Sequence, residues 1–301
     1  MSPGTPGSTH PLSTPSWLSP VPLFFVFLWS TGFIVAKLGL PYAPPLTFLL
    51  LRCLGVLAVL LPVVLVWRAP WPRGQMLHVA VAGLLLQAGY LGGVWAAIKL
   101  GMPAGLTALI VGMQPILTAA AAPLIGERVR PRQWFGFLLG LAGVALVVHA
   151  KLHAGGLSAA GIALCLFALL CITAGTMYQR RFCPSFDLRT GTVIQFAATV
   201  AVLLPLAIVL ESLDWQLSTV DWTFDFIVAW LWSIFALSIG AIFLLFTLIR
   251  RSQATAVTSL LYLTPPTTAV MAWLLFGESL TLLALAGMAV AVTGVAFVVK
   301  K

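Results

Sequence analysis

Arg52 is a lone charge inside an apolar run that extends from residue 45 to residue 67. A guanidinium stays ionised and offers a planar fork of donors that matches a carboxylate. At 1.5 Å of helix rise per residue, a position about seven residues from the nearer end of the run lies roughly 10 Å deep. An isolated charge at that depth costs at least ~2.5 kcal/mol on insertion scales, so Arg52 must face a wet cavity or a partner. Two uses fit. It can hold a solute carboxylate or form part of an outer gate. It can also be structural, capping carbonyls or reaching back to the interface.

Other polar side chains stand in apolar surroundings. Gln87 and Tyr90 are three apart and share one helical face. They can form a cavity wall that offers hydrogen bonds and an aromatic surface. They can equally be glue between helices, at about 0.6 kcal/mol per bond. Trp95 lies near that face but close to a run end, where aromatic rings form an interfacial belt. Gln114-Pro115 and Thr264-Pro265-Pro266 are paired proline breaks, with Tyr262 beside the second. A proline frees a carbonyl one turn back, and breaks near mid-membrane commonly line a binding site. Packing kinks are the other reading.

The missing chemistry narrows the field. No Asp or Glu lies deep in an apolar run, so a buried carboxylate relay for protons has no support. His78 and His149 sit near run ends. There is no phosphate-cradling Gly-Lys-Ser/Thr loop, no His-Glu-x-x-His, no zinc-spaced Cys pair and no carboxylate pair for acid–base work. No catalytic residue, metal or cofactor is expected.

The elements that position these residues follow from composition. The chain is 61% hydrophobic and 8% charged, where a soluble domain carries about 25% charge. Such a surface must face lipid. Backbone groups in lipid must be satisfied internally, so the spans are helices or a closed barrel. The apolar runs have the length of helical spans rather than of barrel strands. Ten spans are expected, over 21–40, 45–67, 76–98, 103–125, 132–150, 157–178, 190–211, 226–248, 253–276 and 280–299. Residues 1–20, rich in Pro, Ser, Thr and Gly, read as a disordered tail. Cys53, Cys165, Cys171 and Cys183 read as free thiols.

The chain repeats itself. Gly126-Glu127, Gly136 and Gly143 recur at the same spacing as Gly277-Glu278, Gly287 and Gly294. Ala58-Val59-Leu60-Leu61-Pro62 recurs as Ala201-Val202-Leu203-Leu204-Pro205, an offset of 143 that also pairs Arg52 with Gln195. From the third span the offset is 151, pairing Gly89 with Gly240 and Pro115 with Pro266. The halves are thus 21–150 and 157–299, five spans each. An odd number of spans per half requires the halves to run in opposite directions.

Charge sets the orientation. With the N-terminus in the cytoplasm, Arg68, Arg73, Arg128, Arg130, Arg132, Arg180, Arg181, Arg189, Arg250, Arg251, Lys300 and Lys301 fall inside. Only Lys37, Lys99 and Lys151 fall outside, so both termini are placed in the cytoplasm by the positive-inside rule. The net charge of +9 is therefore orientation charge and not a nucleic-acid footprint. Glu127 and Glu278 lie at span ends, where a solvated or capping carboxylate is the plain reading and a gating contact the other. The glycines at 136, 140, 143, 287 and 294 fall roughly on one helical face. That suits close packing within each half, or a homodimer face.

These features resemble a known family. Trp29-Ser30-Thr31-Gly32 in the first span, Arg52, Met113-Gln114-Pro115 and the Gly126-Glu127-Arg128 tripeptide are similar to the EamA-type repeat of the drug/metabolite transporter superfamily. The likeness extends from about residue 21 to 299. It departs where Ser279 follows Glu278 in place of the family's usual Arg, and where Pro265-Pro266 doubles a single proline. The resemblance implies an all-α integral membrane protein of ten helices, built as two inverted five-helix repeats around a central cavity. It also implies a bacterial inner-membrane location and a secondary transporter that exports a small organic metabolite such as an amino acid. Trp29 and Ser30 join the candidate pathway residues on this ground. A lipid or hydrophobic-compound flippase of the same architecture is the alternative, and a membrane enzyme the more distant one.

Overall fold

The computed structural model describes residues 20–121, 131–153, 157–240, 244 and 263–299. The acidic loop residue Glu127, the N-terminal tail and Tyr262 lie outside the described residues. Within them the chain is helical and has no strand. The helices are α1 (Pro20–Gly39), α2 (Pro45–Val66), α3 (Met76–Lys99), α4 (Ala104–Ala121), α5 (Pro131–His153), α6 (Ala159–Phe182), α7 (Leu188–Glu211), α8 (Phe224–Gly240), α9 (Thr264–Phe276) and α10 (Leu282–Val299). Five of them, α2, α3, α4, α6 and α7, are long and apolar enough to cross a membrane by length and composition. Large apolar side chains such as Leu65, Val66, Val209, Leu210 and Leu274 are exposed on their outer faces. That belt is what a lipid-facing surface requires.

Local chemistry sets the helix ends. Pro45 opens α2 at a position where a missing N–H costs nothing. Ser158, Asp187 and Thr223 cap α6, α7 and α8, each side-chain oxygen accepting from a first-turn amide. Gly277 ends α9 in the left-handed region at φ 65°, where a Cβ would be strained. Helix α4 breaks at Gly112–Met113. Pro115 has no N–H and its ring crowds the carbonyl of Val111, so the helix stops at Val111 and restarts at Gln114. Pro62 in α2 and Pro205 in α7, paired at offset 143, both lie inside their helices.

Packing follows the repeat. Helix α1 packs on α8 and α9, and its mate α6 packs on α3 and α4. Helix α2 packs on α7, and α5 on α10, each helix against its own counterpart. This yields two mixed groups, α1–α8–α9 and α3–α4–α6, held between the two self-paired couples. Both α3 and α8 carry a π-helical stretch, Leu84–Leu91 and Ser233–Gly240. The two stretches overlap at offset 151, displaced by two residues, and such widened turns recur at functional sites.

The glycine stripe lies mostly between the halves, and within its own half a Cβ at Gly140 would meet Ile116 and Met113 of α4. Gly140 and Gly143 of α5 face Gly287, Ala291 and Gly294 of α10, so the stripe joins the two halves. Each helix is bare where the other's backbone passes.

Glu211, the last residue of α7, caps α2. Its carboxylate accepts from the amides of Leu46 and Thr47, at 2.9 and 2.7 Å, and from the Thr47 hydroxyl at 2.9 Å. These are otherwise orphan donors at a positive helix end. Glu211→Ala is expected to cost about 1–3 kcal/mol. Thermal unfolding in detergent would register this as a lower Tm, and an unchanged Tm would contradict the capping role.

Candidate functional site

A cavity of about 440 Å³ lies between the two mixed groups. Its wall draws on both halves: Trp29, Gly32 and Phe33 of α1, Arg52 of α2, and Leu86, Gln87, Tyr90, Leu91, Val94 and Trp95 of α3. Gln114 of α4, Ile172 and Thr176 of α6, Phe196 of α7, and Leu237 and Ser238 of α8 complete it. The size and the make-up, mainly apolar and aromatic with a few polar groups, match small-molecule sites.

Arg52 is buried on this wall. Its Nε and Nη2 donate to Ser238 Oγ at 3.2 and 3.0 Å, and Ser238 Oγ donates onward to the Ser233 carbonyl at 2.9 Å. The Ser233 carbonyl and Ser238 both belong to the π-helical turn of α8. No carboxylate among the described residues pairs with Arg52. Its guanidinium lies 5.9 Å from the Trp95 ring centroid, a cation–π contact. The interfacial-belt reading of Trp95 is therefore corrected. The indole is 2% exposed and lies against Phe48, with ring centroids 4.4 Å apart. Burial on the cavity side of α3 outweighs nearness to the helix end.

The remaining polar groups have defined roles. Gln87 Oε1 is buried and meets no donor among the described residues. Gln114 donates from Nε2 to Thr176 Oγ1 at 2.9 Å, and Thr176 donates to the Ile172 carbonyl at 2.6 Å. That bond ties the restart of α4 to α6 across the halves.

Several candidates fall elsewhere. Ser30 is buried, but its hydroxyl donates within α1 to the Val26 carbonyl and does not line the cavity. Gln195, the sequence mate of Arg52, donates to Gln179 Oε1 at 3.0 Å, away from the cavity wall. Thr264 is buried at the start of α9. Pro265 borders a void of about 10 Å³ beside Gly112, and neither Pro115 nor Pro266 reaches the cavity wall. Phe33, Thr176, Phe196 and Ser238 are wall residues that residue-type reasoning passed over. The repeat points to one of them, since Gln87 plus 151 is Ser238, and it pairs two others, since Phe33 plus 143 is Thr176.

The cavity continues toward the end of the bundle that carries Arg180. A second cleft of about 490 Å³, lined by Leu86, Thr176, Gln179, Arg180, Cys183 and Pro184, shares Leu86 and Thr176 with it. The four cysteines are buried free thiols. Burial raises the Cys183 thiol pKa above its ordinary value at this mouth.

The sequence matches the model of the EamA-like transporter family over residues 21–149 and again over 159–300. The chain belongs to the EamA-like transporter family. Among this EamA-like chain's relatives is the uncharacterized transporter YvbV of Bacillus subtilis, 31% identical over 286 residues, 92% of this chain and 90% of that one. A probable amino-acid metabolite efflux pump of Salmonella typhimurium is 28% identical over 279 residues, 90% of this chain and 91% of the relative. The aromatic amino acid exporter YddG of Ancylobacter novellus is 31% identical over 210 residues, 65% of this chain and 69% of the relative. One solved crystal structure superimposes with a TM-score of 0.59 at 23% identity, covering 92% of this chain and 94% of the other. At that identity the likeness carries the fold alone. The protein is thus an all-helical membrane transporter.

Proposed function

We propose that this EamA-like transporter exports a zwitterionic metabolite with an apolar body, such as an amino acid, by alternating access. The observation that carries this reading is Arg52: a buried guanidinium on a cavity wall, with no carboxylate partner among the described residues. A carboxylate arriving in the cavity would complete it. Gln87 Oε1, buried with no donor among the described residues, is a ready acceptor for an ammonium group. Trp29, Phe33, Tyr90 and Phe196 offer rings to the side chain. The names of relatives that export amino acids or their metabolites favour the same cargo.

Residues 21–150 and 157–299 act as the two inverted halves. Rocking of α1–α8–α9 against α3–α4–α6 would expose the cavity to each side in turn. Both termini lie in the cytoplasm of a bacterial inner membrane. The basic loops support this, since twelve of the sixteen Lys and Arg residues fall on that side. The end bearing Arg180 is then the inner mouth and the end bearing Lys37 and Glu278 the outer one. The protein acts as a carrier and performs no covalent chemistry. Cells that overproduce it, preloaded with a dipeptide source of amino acids, are expected to release at least one apolar amino acid severalfold faster than cells without it. Equal release of every amino acid would contradict the reading.

A further inference from the structure

Two bonds join the two mixed helix groups at the outer end. The amide of Ala104, the first residue of α4, donates to Glu278 Oε1 at 2.9 Å. Glu278 follows α9 and so belongs to the opposite group. The same oxygen accepts from Lys37 Nζ of α1, which fixes the carboxylate from its own side. A carboxylate set on orphan amides at a helix N-terminus is favourable in both hydrogen bonding and dipole. The second bond runs from Lys99 Nζ, at the end of α3, to the Leu40 carbonyl that follows α1, at 2.6 Å. In both cases the α3–α4–α6 group donates and the α1–α8–α9 group accepts.

Packing beneath these bonds is tight. Gly105 of α4 stands where a Cβ would crowd Ala269 of α9, and Gly112 where it would crowd Pro265. At this end α1 also touches α3 and α4. The two groups are therefore drawn together at the outer end, while the central cavity shares Leu86 and Thr176 with the inner cleft.

We propose that Glu278, clamped by Lys37, is the latch of the outer gate. It holds the N-terminus of α4 shut while the cavity is open to the inside, the Lys99–Leu40 bond assists it, and outward opening requires both to release. This rests on the alternating-access reading. It goes beyond that reading in assigning a state and a gate to residues that do not touch the cargo.

Pulsed electron-spin resonance in lipid nanodiscs tests it without any substrate. Spin labels on ketone-bearing residues at Leu100, after α3, and Leu275, in α9, leave the four thiols in place. The native chain is expected to give a dominant short distance. Glu278→Ala is expected to raise the long-distance fraction at least threefold, and Lys99→Met and Glu278→Gln to raise it by less. An unchanged distribution in Glu278→Ala overturns the latch. If Glu278→Ala does not yield monodisperse protein, an unchanged distribution in both Lys99→Met and Glu278→Gln overturns it. Impaired transport with native distances would also overturn the latch and leave the export reading intact.

Discussion

Arg52→Ala is expected to insert and fold yet lose at least tenfold in transport. The guanidinium sits on the cavity wall with only Ser238 as a hydrogen-bond partner among the described residues. Its removal leaves Ser238 still bonded to the Ser233 carbonyl, so no protein carboxylate among those residues is stranded. What is lost is the partner of the cargo's charge. A charge-assisted hydrogen bond contributes about 1.5–3 kcal/mol, which is roughly ten- to a hundredfold in affinity. Arg52→Lys keeps the charge without the fork and should fall between the two. Initial rates in proteoliposomes, beside gel filtration of each variant, separate lost recognition from lost folding. Native rates for a correctly folded Arg52→Ala would remove Arg52 from the binding site.

The second large effect is structural. Gly143→Leu is expected to abolish the folded protein, and Gly143→Ala to destabilise it strongly. A Cβ at Gly143 would come under 3.0 Å from the backbone of Gly287 and Ala291. Backbone atoms of a packed helix cannot rotate aside as a flexible side chain can. Overpacking in a core costs about 1–3 kcal/mol when side chains can adjust, and more is expected here. Because α5 and α10 are each other's counterparts, the same change at Gly294, which faces Gly140 and Gly136, should act alike. Fluorescence-detected gel filtration would report it as loss of the monodisperse peak. A native elution profile and Tm for Gly143→Leu would contradict the contact.

Much of this architecture is legible in the sequence, because a bilayer admits few solutions. Span length, proline and charge placed ten segments, and the described helices fall on them. The glycine spacing revealed the repeat, but not which partner the stripe meets, since spacing cannot tell a contact within a half from one between halves. The cavity was legible where a polar side chain interrupts an apolar run, as at Arg52, Gln87 and Gln114. It was not legible where the wall residue is ordinary for a span, as at Phe33 or Phe196. The offsets recover part of that. They carry Trp29 onto Ile172 and Leu86 onto Leu237, and all four line the cavity. The same rule misleads at Gln195, whose side chain finds Gln179 instead. Two counterpart positions share a backbone site, and a side chain's nearest partner decides where it turns. Trp95 fails for a related reason: depth along a helix says nothing about which face is covered. The π-helical turns of α3 and α8 had no signal of their own beyond overlapping at offset 151.

Counterflow in proteoliposomes addresses the central claim most directly. Vesicles loaded with an unlabelled apolar amino acid such as leucine or phenylalanine and diluted into a trace of the labelled form require only a carrier that alternates. The native protein is expected to accumulate label transiently. The free amino acid should compete, and the corresponding decarboxylated amine, which offers Arg52 no partner, should not. Absence of counterflow for every amino acid tried, or equal competition by the amine, would contradict a zwitterion carrier built around Arg52.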